Sequence, residues 1–569
     1  MEDKKVTGVL KRLEGEENNR GSYEEHWEDL AAVMLTRRQG FRSQQEPGDK
    51  RTDDIFDGTP MQGARSLANT VGSMLRPEGE VLAKVSTEDK RIMDDGEASE
   101  WLADATARLD AGMRNPAARF RQATGEIDLD LVVLGTGVMF VGLSNTKQHL
   151  IFKSLHLKDT FPIFDAEGRV VGVMSRHMWT IWQAAGLFGL ENLHPETQKK
   201  YKEGKMDEML RFVHAVIPRD QAQNGLGRFA KNMPFADIWI QRDKAHTVQE
   251  GGYEELPYIA PRWDTSSGEN YGRSPGMIAL PDANTLQAMG ETILISGQRA
   301  ADPPLMAPDD GFYNELNTFP GGMSYYDVET AIAMGGNPIF SLENGTNLPI
   351  TRDMQDDTRN QVMNAFFRNI LNLPVNGPQM TATEINQRKE EFIREVGAVF
   401  GRFETDYNLP MTERAFNVML RNNGFAPVPK SLENQTLKME FELPVTKIRK
   451  QIEAAAAEQW AISVANLAVI DPTVTQMIDA PELARFMHGA SALPHEIIVS
   501  KDVFEERIKK QQEAQAKADQ MAQMEMLSKA AQQGGSAAAS FSKAKAEGGL
   551  EGEEGAEGAG FEQLAELAA

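Results

Sequence analysis

The chain has 569 residues, 41% of them hydrophobic and 25% charged, with a formal charge of −24 and no cysteine. That length predicts more than one domain and a sizeable core. The missing cysteines exclude disulfide frameworks, thiolate metal sites and cysteine nucleophiles, and they fit assembly in a reducing cytoplasm. The acidic balance argues against a protein that grips nucleic acid by neutralising phosphates, but it suits one past which DNA slides without sticking. No apolar run is long enough to span a bilayer. The start Met1-Glu2-Asp3-Lys4-Lys5 leads into no apolar segment, so neither a signal peptide nor a membrane location is expected.

In chain order, Ser22-Tyr23-Glu24-Glu25 forms a capping box and predicts the start of a helix. A second helix is predicted from Thr59-Pro60, with Ala64, Leu67, Ala68, Val71 and Leu75 on one stripe and a stop before Pro77. Residues 99–113 and 117–133 read as two more, with Trp101, Leu102 and Leu109 on the apolar face of the first. From about 137 to 260 the pattern turns to short β-prone runs at 138–141, 150–152, 169–173 and 238–240. Phe164-Asp165-Ala166-Glu167-Gly168 supplies a hairpin turn. The fold class is therefore α+β and mainly helical, with helices followed by a mostly antiparallel sheet.

Residues 282–300 read as a helix with Leu286, Met289, Gly290, Ile293, Gly297 and Ala300 on one side, ended by Pro303-Pro304. Residues 352–371 read as another, with Val362, Phe366 and Ile370 spaced by four. At about 1.5 Å per residue each would span roughly 30 Å. Two helices of matched length around a Gly-, Pro- and Asn-rich segment suggest an antiparallel pair carrying a small domain at its tip. Met306-Ala307, residues 331–334 and Pro338-Ile339-Phe340-Ser341 are its candidate strands or helix. Leu373-Pro374-Val375-Asn376-Gly377-Pro378-Gln379 is a loop. Thr381-Ala382-Thr383-Glu384 is a second capping box. It opens a long helix with Ile385, Phe392, Val396, Val399, Phe400 and Phe403 on one face, kinked near Pro410 and ending near Leu420. Leu437, Met439, Phe441 and Leu443 alternate as a strand over 436–444. Helices are expected at 446–470, 480–488 and 500–531, followed by a Gly- and Glu-rich tail expected to be disordered.

Several motif matches are weak. There is no nucleotide-binding P-loop and no His-Glu-x-x-His, and the nine histidines lack ligand spacing. Gly272-Arg273-Ser274-Pro275-Gly276 matches the nucleophile elbow of serine hydrolases. Pro275, however, has no N–H to serve as the oxyanion donor, so an ordered loop is the preferred reading. Gly135-Thr136-Gly137 lacks the third glycine of a dinucleotide site. Asp53-Asp54-Asp57 and Asp353-Asp356-Asp357 lack calcium-loop spacing and read as solvated faces. No cofactor, no metal and no catalytic residue is expected.

Specific resemblance enters at Ala260-Pro261-Arg262-Trp263, the run from Gly268 to Gly276, and Leu280-Pro281-Asp282. It continues in Ala301-Asp302-Pro303-Pro304, Met380-Thr381-Ala382-Thr383-Glu384, and Ile55-Phe56-Asp57-Gly58-Thr59 followed by Ala64-Arg65-Ser66-Leu67-Ala68. In this order, across residues 20–500, the chain resembles the portal, or head-to-tail connector, family of short-tailed bacteriophages. The resemblance implies a non-enzymatic ring, typically a dodecamer, at one capsid vertex, through which double-stranded DNA is packaged and ejected and to which the tail attaches.

It also implies a division of the chain: wing 1–281, stem helix 282–302, clip 303–351, stem helix 352–371, tunnel loop 372–380, wing 381–445, crown 446–535 and tail 536–569. DNA contact or gating would fall to the tunnel loop, Leu373 to Gln379. Glu291, Asp353, Asp356 and Asp357 are the candidate channel-facing acids. The implied partners are copies of itself, DNA, the terminase motor, the major capsid and scaffolding proteins and a tail adaptor. The implied place is the virion, assembled in the host cytoplasm. Another virion component, an adaptor or scaffold, is the main alternative, and a hydrolase using Ser274 is the other.

Overall fold

A computed structural model of the chain describes residues 2–42, 48–79, 81–88, 96–144, 146–219, 232–309, 319–327, 340–341, 348–367, 401–432, 435–441, 444–467, 479–490, 504 and 506–524. The chain divides into two units, Met1–Ser463 and Val464–Ala569. Helix is the larger share of a mixed helix-and-sheet fold.

The N-terminus holds two helices, α1 (Glu2–Asn19) and α2 (Gly21–Met34). The capping box expected at Ser22 is not formed; Arg20 stands at the helix start without a side-chain cap. The reason is that the helix starts at Gly21, which puts Ser22 inside the first turn; Glu25, the residue meant to reach back, pairs with Arg42 at 3.3 Å, and Arg20 donates to Glu24 at 2.7 and 2.9 Å. The buried Arg20 guanidinium also donates to the carbonyls of Leu157, Lys158 and Thr160, a buried cation that keeps every donor satisfied.

Helix α3 (Thr59–Leu75) follows the sequence reading. Pro60 sits in its first turn, and Ala64, Leu67, Ala68, Val71 and Leu75 are all buried. Strand β1 (Lys84–Thr87), α4 (Gly96–Arg114) and α5 (Phe120–Leu134) come next. Trp101, Leu102 and Leu109 face inward from α4. Helix α5 ends on Gly135 at φ +82°, a left-handed cap that glycine adopts at little cost.

The β region exceeds the prediction. Strands β2 (Val138–Leu143) and β3 (Leu150–Leu155) pair antiparallel. Strands β4 (Thr160–Phe164), β5 (Val170–Thr180), β6 (Met209–Pro218), β7 (Phe235–Gln241) and β8 (His246–Tyr253) form one antiparallel sheet in chain order. The short β9 (Tyr258–Ile259) returns to β2. The hairpin expected at Phe164–Gly168 is present, with the Asp165 carboxylate accepting from the Glu167 and Arg169 amides. Strand β6 escaped the sequence reading because it is the middle of five strands. Leu210 and Phe212 are buried on one face, Val213 and Ala215 on the other, so its sequence shows no clean inside–outside alternation.

One sheet face is covered by α1 through Val6, Val9 and Leu13. Toward the other lie α6 (Ile181–Phe188) and α7 (Pro195–Lys202); Ile181 and Ala184 of α6 pack with Leu210, Phe212 and Val248. Helix α6 carries a complete capping box between Thr180 and Gln183. Tyr258 and Asp237 bond the two ring nitrogens of His214 at 2.9 and 2.7 Å, which ties β9 to the large sheet.

Later in the chain, residues 404–408 form one wide π turn, Glu404–Asn408, leading into α10 (Leu409–Arg421). The irregularity expected at Pro410 therefore falls just before it, with Pro410 in the permissive first turn. The buried Arg76–Asp128 ion pair lies under the ring of Tyr407, whose centroid is 5.0 Å from the guanidinium carbon. Strand β13 (Leu437–Glu440) pairs antiparallel with β1 and is shorter than the predicted 436–444. Helix α11 (Pro444–Leu467) starts at the proline that ends that segment, and α12 (Ala480–Ala490) and a helical run at 506–524 follow. The start of the predicted long helix at 381–384, its apolar residues 385–400, and the tail lie outside the described residues.

Candidate functional site: two paired helices and their anchor

Helix α8 spans Pro275–Ala301, seven residues earlier than predicted and with Pro281 inside it. Its start explains the serine motif. Ser274 is buried; its hydroxyl donates to the Val133 carbonyl at 2.7 Å, and its oxygen accepts the Met277 amide at 3.1 Å. The tempting nucleophile is a helix cap. The glycines around it serve close approach. A Cβ on Gly272 would strike the Gly135 carbonyl, and one on Gly276 would sit 3.0 Å from the Val133 carbonyl. The Gly135 pair read as a weak dinucleotide signal is thus the partner of the Gly272 crossing, while a Cβ on Gly137 would meet Ile127.

The buried residues of α8 end at Leu286. Its last fifteen residues leave the core as a rod of roughly 22 Å. Leu294 and Ile295 are exposed there. Helix α9, Leu348–Ala365, packs beside it. It ends earlier than the predicted 371: Phe367 has φ +57°, a left-handed conformation that stops the helix, while Phe366 is buried against Gly63. With 27 and 18 residues, the two helices are not matched in length. Helix α8 has an additional buried base, which the sequence reading treated as a loop. Between the helices lies a small sheet. Strand β10 (Leu305–Asp309) is flanked by a parallel β11 (Met323–Asp327) and an antiparallel β12 (Phe340–Ser341). Met306-Ala307 and Phe340-Ser341 are strands as expected, β11 was missed, and residues 331–334 lie outside the described residues.

One loop holds both helices. Gln287 of α8 accepts the Phe56 and Asp57 amides at 2.8 and 2.9 Å and donates to the Asp57 carbonyl at 2.7 Å. The Asp57 carboxylate accepts from Arg359 of α9 at 2.9 Å, with a second guanidinium nitrogen 2.8 Å away, and from the Thr59 amide at the start of α3. Burial works to raise Asp57, but the Thr59 and Arg359 donors outweigh it and hold the carboxyl below its usual range. Asp57, set aside as part of a solvated acid cluster, is a structural hub. The run Ile55–Thr59 carries the family resemblance, but nothing local in it names the partners 230 and 302 positions away.

The four candidate acids fall on exposed positions. Glu291, Asp353 and Asp357 form no ion pair among the described residues, and Asp356 pairs with Arg359 at 2.8 Å. On α9 the opposite stripe, Gln355, Thr358 and Val362, is buried, so the acids share the outward side. Leu373 to Gln379 lie outside the described residues. Among the described residues no acid–histidine cluster is placed to hold a metal ion, and no helix is long and apolar enough to cross a membrane.

The sequence model for "Bacteriophage head to tail connecting protein" matches residues 6–498. The chain belongs to this family. Three connector relatives align over most of their lengths. The portal protein of Salmonella phage epsilon15 is 25% identical over 90% of this chain and 92% of its own. The probable portal protein of Bordetella phage BPP-1 is 26% identical over 84% and 86%. The portal protein of Enterobacteria phage T3 is 22% identical over 80% and 84%. The chain is thus a phage portal, a head-to-tail connector and a component of the virion, in a family of structural proteins whose standard role is DNA passage.

Proposed function

We propose that copies of this connector form a ring, of twelve subunits, at one capsid vertex, with α8 and α9 as the stem that lines a DNA channel. The observation that carries this reading is the exit of α8 from the core after Leu286, beside a second helix whose outward side is acidic. A wall of unpaired carboxylates repels phosphate and lets a duplex slide. Glu291, Asp353 and Asp357 are the wall acids, with Asp356 partly neutralised by Arg359. Residues 1–281 and 381–445 are the wing, 303–351 the clip, 446–535 the crown and 536–569 a peripheral tail.

The loop Leu373 to Gln379 is the contact or gate. It carries no Lys or Arg, which suits steric contact better than phosphate binding. The partners are the terminase motor during packaging, the capsid and scaffolding proteins around the wing, and a tail adaptor at the clip. Assembly takes place in the host cytoplasm. Negative-stain imaging of the purified protein tests the ring, with monodisperse monomers under assembly conditions as the contrary result. Deleting Asn376-Gly377-Pro378 tests the gate. Rings should persist while DNA packaging or retention fails, and normal retention would remove the gate.

A further inference from the structure

Arg37, just after α2, and Arg65, on α3, stand in the walls of two adjoining cavities of about 230 and 450 Å³. Both cavities also share Leu35 and Leu129, so they meet over one floor. Both arginines are exposed, and among the described residues neither forms an ion pair or donates a side-chain hydrogen bond. The smaller cavity has no acid in its wall. The larger has Glu126 and Asp130, but Arg38 takes both, at 3.4 and 3.0 Å. Arg51 adds a third guanidinium nearby, donating to the Arg37 carbonyl at 3.2 Å. The amide side chains of Gln62, Asn69 and Gln122 complete the polar part of the walls.

In a chain of charge −24, this local excess of cation is selective. Two guanidiniums that line the same concavities and form no ion pair among the described residues repel each other and focus a positive potential there. Arginine in that setting fits phosphate, through paired N–H donors in a planar fork. Gly58, at the start of α3, also stands in the wall of the smaller cavity, and Asp57 beside it is engaged by Arg359 and Thr59.

We infer that Arg37 and Arg65 form a phosphate-binding cleft that takes the backbone of duplex DNA, at a place separate from the stem helices. The cleft stands on its own geometry; naming DNA as the source of the phosphates rests on the conduit reading. A passive acidic wall needs holding points elsewhere if DNA is to be retained, and a cleft that reads only phosphate is indifferent to sequence.

The test is binding of a short mixed-sequence duplex to the purified full-length protein across a salt series, for wild type, R37Q/R65Q and R37K/R65K. Removing both arginines should weaken binding equally for duplexes of different base composition and flatten the log–log salt slope by about 1 per arginine; the lysine pair should restore part of both. Unchanged affinity and slope would overturn the proposal. Mass-spectrometric mapping of arginine modification on the wild-type protein covers the case in which the glutamine pair does not assemble. DNA should protect Arg37 and Arg65. If both are already unreactive without DNA, a neighbouring subunit covers them and the proposal fails. If inorganic phosphate protects them and the duplex does not, the ligand is a free anion and the DNA assignment fails. Loss of the cleft would leave the deletion of residues 376–378 to decide the gate separately.

Discussion

Asp57 and Arg359 are 302 positions apart in sequence and meet in an ion pair, with a hydrogen bond at 2.9 Å and a second nitrogen 2.8 Å from the same carboxylate oxygen. With Gln287 of α8 bonding the same loop, this pair fixes where α9 lies against α8 and α3. Asp57→Asn keeps an acceptor for Thr59 but loses the charge. Because Arg359 is 40% exposed, solvent screens the pair, and the expected loss is about 1 kcal/mol. Asp57 is depressed in the fold, so its contribution is present above its unfolded pKa and lost as pH falls through the folded value. Urea unfolding should show a gap between wild type and D57N at pH 7 that narrows as the pH falls below the usual carboxylate range. A gap that persists in acid would mean that the pair is not the cause.

Asp130 behaves in the opposite sense. Burial raises its carboxyl to about 6 against the pull of Arg38. The folded state therefore holds a proton that the unfolded chain releases near pH 4, and this group's contribution to stability declines as pH rises from about 4 to about 6. At about 1.4 kcal/mol per pH unit the decline amounts to roughly 3 kcal/mol. Asp130→Asn should flatten this part of the profile. Parallel profiles for the two proteins between pH 4 and 7 would contradict it.

The Gly135–Gly272 crossing leaves no space for a side chain, and Gly135 also sits at φ +82°. Gly272→Ala should cost about 3 kcal/mol by forcing the backbones apart. Gly297→Ala is the control. Nothing lies within 4 Å of a Cβ there, and the exchange in a helix should stabilise by up to about 1 kcal/mol. Thermal unfolding of the two variants should therefore shift in opposite directions.

Ser274→Ala removes the cap of α8 and leaves the Val133 carbonyl without its donor. The expected cost is about 1–2 kcal/mol, measured as a lower unfolding midpoint, with ring formation retained. Loss of a hydrolytic turnover in this variant would instead revive the nucleophile reading.

Neutralising Glu291, Asp353 and Asp357 together, as Gln, Asn and Asn, should leave fold stability within about 0.5 kcal/mol, since all three are exposed and form no ion pair among the described residues. Packaging in vitro should slow, and duplex DNA should be held more tightly at low salt. Unchanged packaging at every ionic strength would remove the acids from the channel wall.

The helices α3 and α4 were legible because each buries one stripe and leaves the other side wet, which imposes a period of 3.6; α5 keeps that pattern only in its first half, since Asp130 to Leu134 are all buried. The antiparallel hairpin at Asp165 was legible because its turn chemistry is local. Strand β6 was not, being buried on both faces. The base of α8 was misread because Ser274-Pro275 looks like loop chemistry until the Val133 carbonyl is known to lie beside it, and Pro281 looks like a boundary although it is carried inside the helix. Of the proposed site, the acids could be placed on exposed helix positions from spacing alone. The hub at Asp57 could not, because its meaning depends on partners more than 200 residues away.

By itself the sequence determined the composition class, the amphipathic helices α3 and α4, the hairpin turn at Asp165 and, through ordered motifs, the family. These are set by interactions within a few residues or by residue order. Tertiary structure alone decided that Gly135 and Gly272 share one crossing, that Asp57 joins α3, α8 and α9, that Glu25 pairs with Arg42 rather than closing a cap, and that Arg37 and Arg65 line one cleft. Each depends on groups distant in sequence being brought within hydrogen-bonding or van der Waals range, which no local pattern encodes.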